Sequence, residues 1–482
     1  MSTPKVIGTE TEFGITLKGV ARFNPAVASA LVVGAKQGVT MNDWFKEALL
    51  LSEDAGNWGA GVALPEGTGV NRVLANGARF YVDHAHPEYA TPETTNPLDA
   101  TLYDKAGEET LRQSSKLASD ALGSASSFGL YKNNSDGKGN SYGFHENVML
   151  DRRLPFGEIV RLLPTFLVTR RIIGGAGKVG VENGRPAAFY QVSQRSDFFE
   201  EVVGLETTMR RPIVNTRDEP HSDPAYRRLH VIYGDANMSE VQTFTKIGSL
   251  VWFLTALEAA ALDGIPRLLD PVLAGDVVSR DLELTQELPL VGGGAATALE
   301  IQQLILQRLQ AFGLAPAGVA DEWADLLDTL GRSRDEAADR LDWVAKLTVL
   351  RGFAERGVAW SDPKMRAIDL QYHDIDHSKS LHRRLVETAR MRRLFTDGQI
   401  EEAVTSPPTD TRAWLRGTCV RLFPSEIASA SWDSLVFTNL DGELSRVPMM
   451  TPHGATEAEL GDIVRASETA SEMVTRLGGA DG

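Results

Sequence analysis

Four stretches of this chain alternate in polarity with the two-residue period of a β-strand, and each offers a row of polar groups on one face. In GTETEFGI (8–15), Thr9, Thr11, Phe13 and Ile15 share one face while Glu10 and Glu12 project side by side from the other. In NGARFYVDHAHPEYATPE (76–93), Arg79, Tyr81 and Asp83 face one way and Phe80 and Val82 the other, with Pro87 placed to turn the chain before Glu88. GFHENVML (143–150) sets His145 and Asn147 against Glu146, Val148 and Leu150. YRRLHVIYGDAN (226–237) sets Arg228 and His230 against Leu229, Val231 and Tyr233.

Neighbouring carboxylates repel unless a cation or an arginine lies between them, so Glu10 and Glu12 point to a hard metal such as Mg²⁺. The planar fork of Arg79 suits a phosphate, and the carboxylates beside it suit a metal or a proton transfer. Taken singly, each feature has an ordinary structural explanation. An E-x-E pair is more often a solvated strand face, a lone strand histidine is more often a satisfied structural residue, and the 79–83 run could be a salt-bridged strand. Four such strands together shift that balance. A sheet that buries one face against helices and offers Glu10, Glu12, Tyr81, Asp83, Glu88, His145 and His230 on the other would be a cradle for metal and phosphate.

Helical periodicity dominates DEAADRLDWVAKLTVLRGFAER (335–356) and LHRRLVETARMRRLF (381–395), so the predicted class is α+β. With 482 residues the chain exceeds a single core, and two prolines in TSPPTDTRAW (405–414) mark a boundary between a large domain, 1–404, and a small C-terminal one, 405–482. The segment of about 40–72 includes the Gly-rich, aperiodic EDAGNWGAGVALPEGTG (53–69) and reads as a mobile loop. A formal net charge of −16 argues against non-specific nucleic-acid binding, since phosphates need a basic face. The single Cys419 excludes an intramolecular disulfide framework, and MSTPKVIGTETEFG lacks the charged and apolar regions of a secretory leader, which predicts a cytoplasmic protein. SLVWFLTALEAAALDGI (249–265) is short for a bilayer span and carries Glu258, so it reads as a buried helix.

Some signals are weaker than they look. GGAGKVG (174–180) has Ile172 where a phosphate loop needs its first Gly and Val179 where it needs Ser or Thr, so it reads as a turn. VGGGAATALE (291–300) lacks dinucleotide-binding spacing. His373, Asp374, Asp376 and His377 in YHDIDHSKS could hold a transition metal, but a polar helix entry capped near Asp376 or Ser378 is the better reading.

GTETEFG, NGARFYVDHAHPEYATPE, LYKNNSDGKGNSYGFHEN, VNTRDEPH and RRLHVIYGDANMSE, with PPTDTRAWLRG and SWDSLVF near the end, resemble the depupylase and Pup ligase family, relatives of glutamine synthetase and the γ-glutamyl-cysteine ligases. The resemblance implies a glutamine-synthetase-like cradle of curved antiparallel sheet packed by helices, holding ATP and Mg²⁺, plus a small C-terminal domain. By motif position it implies Glu10, Tyr81, Glu88, His145 and His230 as metal ligands, and Asp83 as the catalytic aspartate. Gly8, Thr9, Arg79, Thr91, Asn147, Arg228 and Trp432 would contact the nucleotide, and Glu12 is a further candidate.

Of the two activities on this scaffold, the resemblance favours the depupylase: the long connection before Asn76, VDHAHPEY and SWDSLVF look like that branch. The implied reaction cleaves the isopeptide bond between Pup, a small ubiquitin-like protein, and substrate lysines, and deamidates Pup's C-terminal glutamine, with ATP as cofactor rather than fuel. The implied partners are Pup and pupylated proteins, with neither nucleic acid nor membrane, and contact with the bacterial proteasome is left open. Pup is acidic, so its groove should be locally basic; Arg170, Arg171, Arg210, Arg211, Arg392 and Arg393 are candidates. Competing readings are a Pup–protein ligase on the same scaffold and a non-catalytic, nucleotide-dependent binding protein.

Overall fold

The computed structural model describes residues 4–20, 22–36, 49, 71–123, 126–439 and 442–478. The segment predicted to be a mobile loop therefore lies almost wholly outside the described residues.

Six strands form the central sheet: β1 (Ile7–Glu12), β2 (Asn71–Val73), β3 (Arg79–Asp83), β4 (His86–Ala90), β5 (Phe144–Asp151) and β6 (Tyr226–Val231). Their spatial order is β6-β5-β1-β4-β3-β2, and every neighbouring pair is antiparallel. With the helices packed around it, this is the α+β class expected. The alternating strands each form, but the first predicted run breaks at Phe13: Gly14–Lys18 leaves the central sheet and pairs with Ser127–Tyr131 instead.

Pro87 does not turn the chain. It is the second residue of β4, where its carbonyl accepts from Phe13 N at 3.0 Å. The reversal is made by His84 and Ala85, with φ of 43° and 76°. Two consecutive positive φ values are what a two-residue hairpin needs to match strand twist, here reached without glycine or asparagine. Ser29 on helix α1 (Pro25–Ala35) donates to Ala85 O at 2.7 Å and steadies that turn.

Helix α2 (Pro97–Leu122) starts where Asn96 accepts from Asp99 N with Pro97 in the first turn. Helix α3 (Glu240–Glu258), capped by Ser239, is almost wholly buried and takes in the predicted apolar run only as far as 258, the remaining 259–265 lying beyond its end. Its last residue, Glu258, pairs with the buried Lys5 at 2.6 Å. Among the described residues no helix is long and apolar enough to cross a membrane.

The largest hydrophobic cluster joins Val148, Leu150, Leu229 and Val231 of the sheet's apolar face to Phe166, Phe253, Trp323 and Trp343 in the helices. A separate cluster runs from Trp414 to Met473. Two helical predictions are shortened. The 335–356 run is a 3₁₀ turn followed by a helix beginning at Asp342, and 381–395 is helical only to Glu387 because Ala389 takes a φ of 55°. There Arg393 leaves the helical path to pair with Glu240 at 3.1 Å.

Candidate active site

Antiparallel register decides which polar groups meet, because directly opposed residues share a face. Glu10 stands opposite His145 and Ala90, Glu12 and Tyr81 opposite Glu88, Asp83 opposite His86, and His230 opposite Asn147. Three groupings result.

In the first, ligand atoms of Glu10, His145 and His230 lie within 4.8 Å of one another. His145 Nδ1 is 3.1 Å from Glu10 Oε2, and His230 Nε2 is 3.6 Å from the same oxygen. Burial pushes the Glu10 carboxyl up, but the His145 hydrogen bond and the approach of His230 hold it well below the usual carboxylate range. Burial pulls His145 down to about 4 despite Glu10, which leaves it a neutral imidazole with a lone pair to offer. His230 is 3% exposed, and neither ring nitrogen has a hydrogen-bond partner among the described residues.

In the second, carboxylates of Glu12, Asp83 and Glu88 lie within 4.8 Å of one another. Burial, and then the charge of Asp83, raise Glu12 to about 7. Burial and the charges of Glu12, Glu10 and Asp83 push Glu88 well up, and burial with the charge of Glu88 does the same to the Tyr81 phenol. Asp83 is the accessible member, its side chain 41% exposed, with Oδ2 2.7 Å from His84 Nδ1. That contact, against burial, raises the His84 imidazole.

The third grouping is a cleft of about 640 Å³ whose lining includes Gly8, Thr9, Glu10, Thr91, Glu93, Asn147, Arg228, Arg412 and Trp432. Thr9 N donates to Thr91 Oγ1 at 2.9 Å, and Arg228 Nη1 donates to Asn147 Oδ1 at 2.9 Å while lying 3.6 Å from Glu10 Oε1. The Trp432 ring lies under Arg79, whose guanidinium carbon is 5.6 Å from its centroid. Orphaned imidazole nitrogens beside clustered, mutually repelling carboxylates are the surroundings a divalent cation relieves, so the donor set fits such an ion.

The Pup-ligase protein family model matches residues 5–436 of the 482. The chain belongs to the Pup-ligase family. Within that family it is 43% identical over 502 residues to a depupylase of Acidothermus cellulolyticus, covering 98% of this chain and 99% of the relative. It is 41% identical over 500 residues to a Pup deamidase/depupylase of Mycobacterium tuberculosis, with the same coverage. A Pup–protein ligase of Acidimicrobium ferrooxidans is 40% identical over 410 residues, covering 82% of this chain and 89% of the relative. Among solved structures, the complex of Pup with its ligase PafA superposes with a TM-score of 0.81 at 30% identity, covering 96% of this chain and 92% of that one. PafA bound to ADP superposes at 0.74 with 33% identity, covering 82% and 90%.

On this Pup-ligase family sheet Glu10, His145 and His230 make the first grouping, Glu88 and Asp83 fall in the second with Glu12 completing it, and Tyr81 stands opposite Glu88 beside it. The predicted nucleotide contacts fall on the cleft, except that Arg79 reaches it through Trp432. The sequence reading did not find Arg195. It is fully buried and donates to Ile232 O, and at 3.2 Å to Gly234 O; its charge acts on Glu12, and burial pulls it down to about 9. It sits in a segment without strand alternation, so no periodic signal marks it. Five of the six arginines offered for an acidic partner are engaged elsewhere, among them the buried Arg211, which donates to Thr207 O at 2.7 Å and Ser141 O at 2.8 Å. Arg170 is buried behind β5 against Glu146 at 2.6 Å, Arg171 is buried over the Tyr233 ring, and Arg392 and Arg393 pair with Glu322 and Glu240. The histidines of YHDIDHSKS form no metal cluster among the described residues: His373 contacts Gln194, Lys346 and Lys132 O, and Ser380 caps the next helix.

Proposed function

We propose that this chain is a nucleotide-dependent amide hydrolase that removes Pup from proteins. It cleaves the isopeptide bond between Pup's terminal side-chain carboxyl and a substrate lysine, and it deamidates a C-terminal glutamine of Pup by the same side-chain amide chemistry. The observation that carries this reading is alignment over 98% of the chain, at 41–43% identity, with relatives named for depupylation, against 82–90% coverage with the relatives named as ligases.

Asp83 is the group assigned to the chemistry, being the most accessible carboxylate beside a set of buried acids. Direct attack on the amide carbonyl and activation of a water both begin from a carboxylate, and Asp83 Oδ2 lies 2.7 Å from His84 Nδ1 at the open edge of the acid group. Arg195 and Arg211 bring positive charge to the same end of the site, where an oxyanion develops. Glu10, His145, His230, Tyr81 and Glu88 would hold Mg²⁺, which when bound supplies Lewis-acid charge to phosphate oxygens. Gly8, Thr9, Arg79, Thr91, Asn147, Arg228 and Trp432 would receive ATP, whose role here is to organise the site, since amide hydrolysis needs no phosphorylated intermediate. In this arrangement the body, 1–404, carries the sheet and a smaller lobe, 405–482, closes the nucleotide cleft.

The test is release of a fluorophore linked to Pup by wild type and Asp83→Asn, with Mg²⁺ and ATP present or withheld and ADP followed in the same samples. Nucleotide-dependent release without matching ADP, lost in Asp83→Asn by at least about 10³-fold, is expected. Conjugation of Pup to a lysine-bearing protein with one ADP per bond would replace this reading with ligation. An Asp83→Asn protein that keeps its function would replace it with a binding role.

A further inference from the structure

Glu93 follows β4 and lies on the wall of the nucleotide cleft, yet both of its carboxylate oxygens accept from the C-terminal lobe. Oε1 accepts from Arg412 Nε at 2.9 Å and from Arg416 Nη1 at 3.2 Å, Oε2 accepts from Arg416 Nη2, and the Glu93 carbonyl accepts from Thr411 Oγ1 at 2.7 Å. Both arginines lie on or beside helix α4 (Ala413–Leu422). Against burial, which pushes a carboxyl up, the charges of Arg416 and Arg412 hold Glu93 down to about 2.

Arg416 is wholly buried and makes further contacts that define the cleft. Its Nε donates to Gly77 O at 2.9 Å, its Nη1 donates to Trp432 O at 3.1 Å, and its guanidinium lies 4.8 Å from the Trp432 ring centroid. Arg412 reaches the other wall, with Nη1 donating to His221 O at 2.6 Å and Met449 O at 2.8 Å. The backbones beneath are in close approach: a Cβ on Gly417 would meet Ala75 O at 2.5 Å, and one on Gly77, whose φ is +82°, would meet Ala413 O at 2.7 Å. The lobe is thus seated with little room to shift, and Arg416 carries the position of Trp432 back to Glu93.

We propose that Glu93 is a positioning residue for the nucleotide: by gripping Arg412 and Arg416 it fixes Trp432 against the cleft, so that the lobe's share of nucleotide binding passes through this one carboxylate. The inference rests on the nucleotide reading of the cleft given above. In this role Glu93 acts through the two guanidinium groups, whose three N–H donors converge on its carboxylate. Loss of Glu93 frees Arg416, Trp432 loses the group that holds both its backbone and its ring, and the binding energy that depended on a pre-set ring is lost with it.

The experiment is a double-mutant cycle on ADP affinity, by calorimetric titration of the full chain for wild type, Glu93→Gln, Trp432→Ala and the double variant. It is run at a temperature where circular dichroism shows all four folded. Glu93→Gln is expected to weaken ADP by about 10-fold and Trp432→Ala by at least as much, while the double variant is no weaker than Trp432→Ala alone. In turnover, Glu93→Gln should raise the nucleotide concentration for half-maximal rate and leave the rate at saturation within about twofold, a split that general loosening of the fold would not give. Should Glu93→Gln fail to fold, Arg416→Lys replaces it, keeping the charge but losing the fork, with the same expected lack of additivity. Losses that multiply, or a Glu93→Gln protein with wild-type ADP affinity, would overturn the positioning role while leaving the proposed function standing. A wild type that binds no ADP would remove both.

Discussion

Glu93, just past the end of β4, and the Glu12–Asp83–Glu88 group are both carboxylate centres, yet their surroundings differ completely. Glu93 meets two arginines within hydrogen-bond reach and is held to about 2. Glu12 meets Asp83 and is raised to about 7, and Glu88 is pushed up as well. A buried acid supplied with its own cations is complete and acts as a structural rivet. Acids clustered without enough positive charge are complete only with something bound, and that asymmetry separates a joint from a site.

The strongest test of the contrast is Glu93→Ala. It strands two buried guanidinium groups and should destabilise the protein by about 3–5 kcal/mol in urea denaturation, whereas Glu88→Ala in EDTA should cost far less. Comparable losses would mean the acid cluster is also internally compensated.

The pH dependence comes next. Glu93 has a folded pKa of about 2 against an ordinary value of 4.5, so its contribution is present above pH 4.5 and disappears as the pH falls toward 2. The difference amounts to roughly 3 kcal/mol, seen as an acid limb in the denaturation midpoint that wild type has and Glu93→Gln lacks. Equal acid limbs in the two proteins would show that the arginines do not depress this carboxyl.

A smaller effect of opposite sign is expected in the open cluster. Glu12→Gln removes one repelling charge and should raise the stability of the metal-free protein by about 1 kcal/mol, read from thermal denaturation in EDTA. A fall would mean that Glu12 has a compensating partner, His86 Nδ1 at 3.6 Å and the charge of Arg195 being the candidates. The smallest expected change is the response to metal. Mg²⁺ at about twice its dissociation constant should stabilise wild type and Glu93→Gln alike by about 0.6 kcal/mol, and Glu10→Gln by less. An equal gain in Glu10→Gln would place the ion elsewhere.

Much of the site was legible because strand alternation is local. Once 7–12, 79–83, 144–151 and 226–231 are read as strands, the faces of Glu10, Asp83, His145 and His230 follow without tertiary information. The hairpin that presents Asp83 was not legible. His84 and Ala85 carry none of the residues that favour positive φ, and the visible proline three residues on drew the turn to the wrong place. The arginines failed for another reason: a basic pair in sequence says nothing about burial, and Arg170 and Arg171 each found partners in the core.

By itself, then, the sequence determined the strand faces, the mixed helix-and-sheet class and, through its long motifs, the family. Only the tertiary structure decided strand order and register, which brought Glu10 within reach of both His145 and His230 and set Glu12 against Glu88. It also decided the seating of Arg412, Arg416 and Trp432 on Glu93, more than 300 positions away in the chain. The physical reason is range. Periodicity is fixed by neighbours one or two residues apart, whereas register and lobe docking come from burying apolar faces and pairing charges between segments whose separation leaves no mark on local pattern.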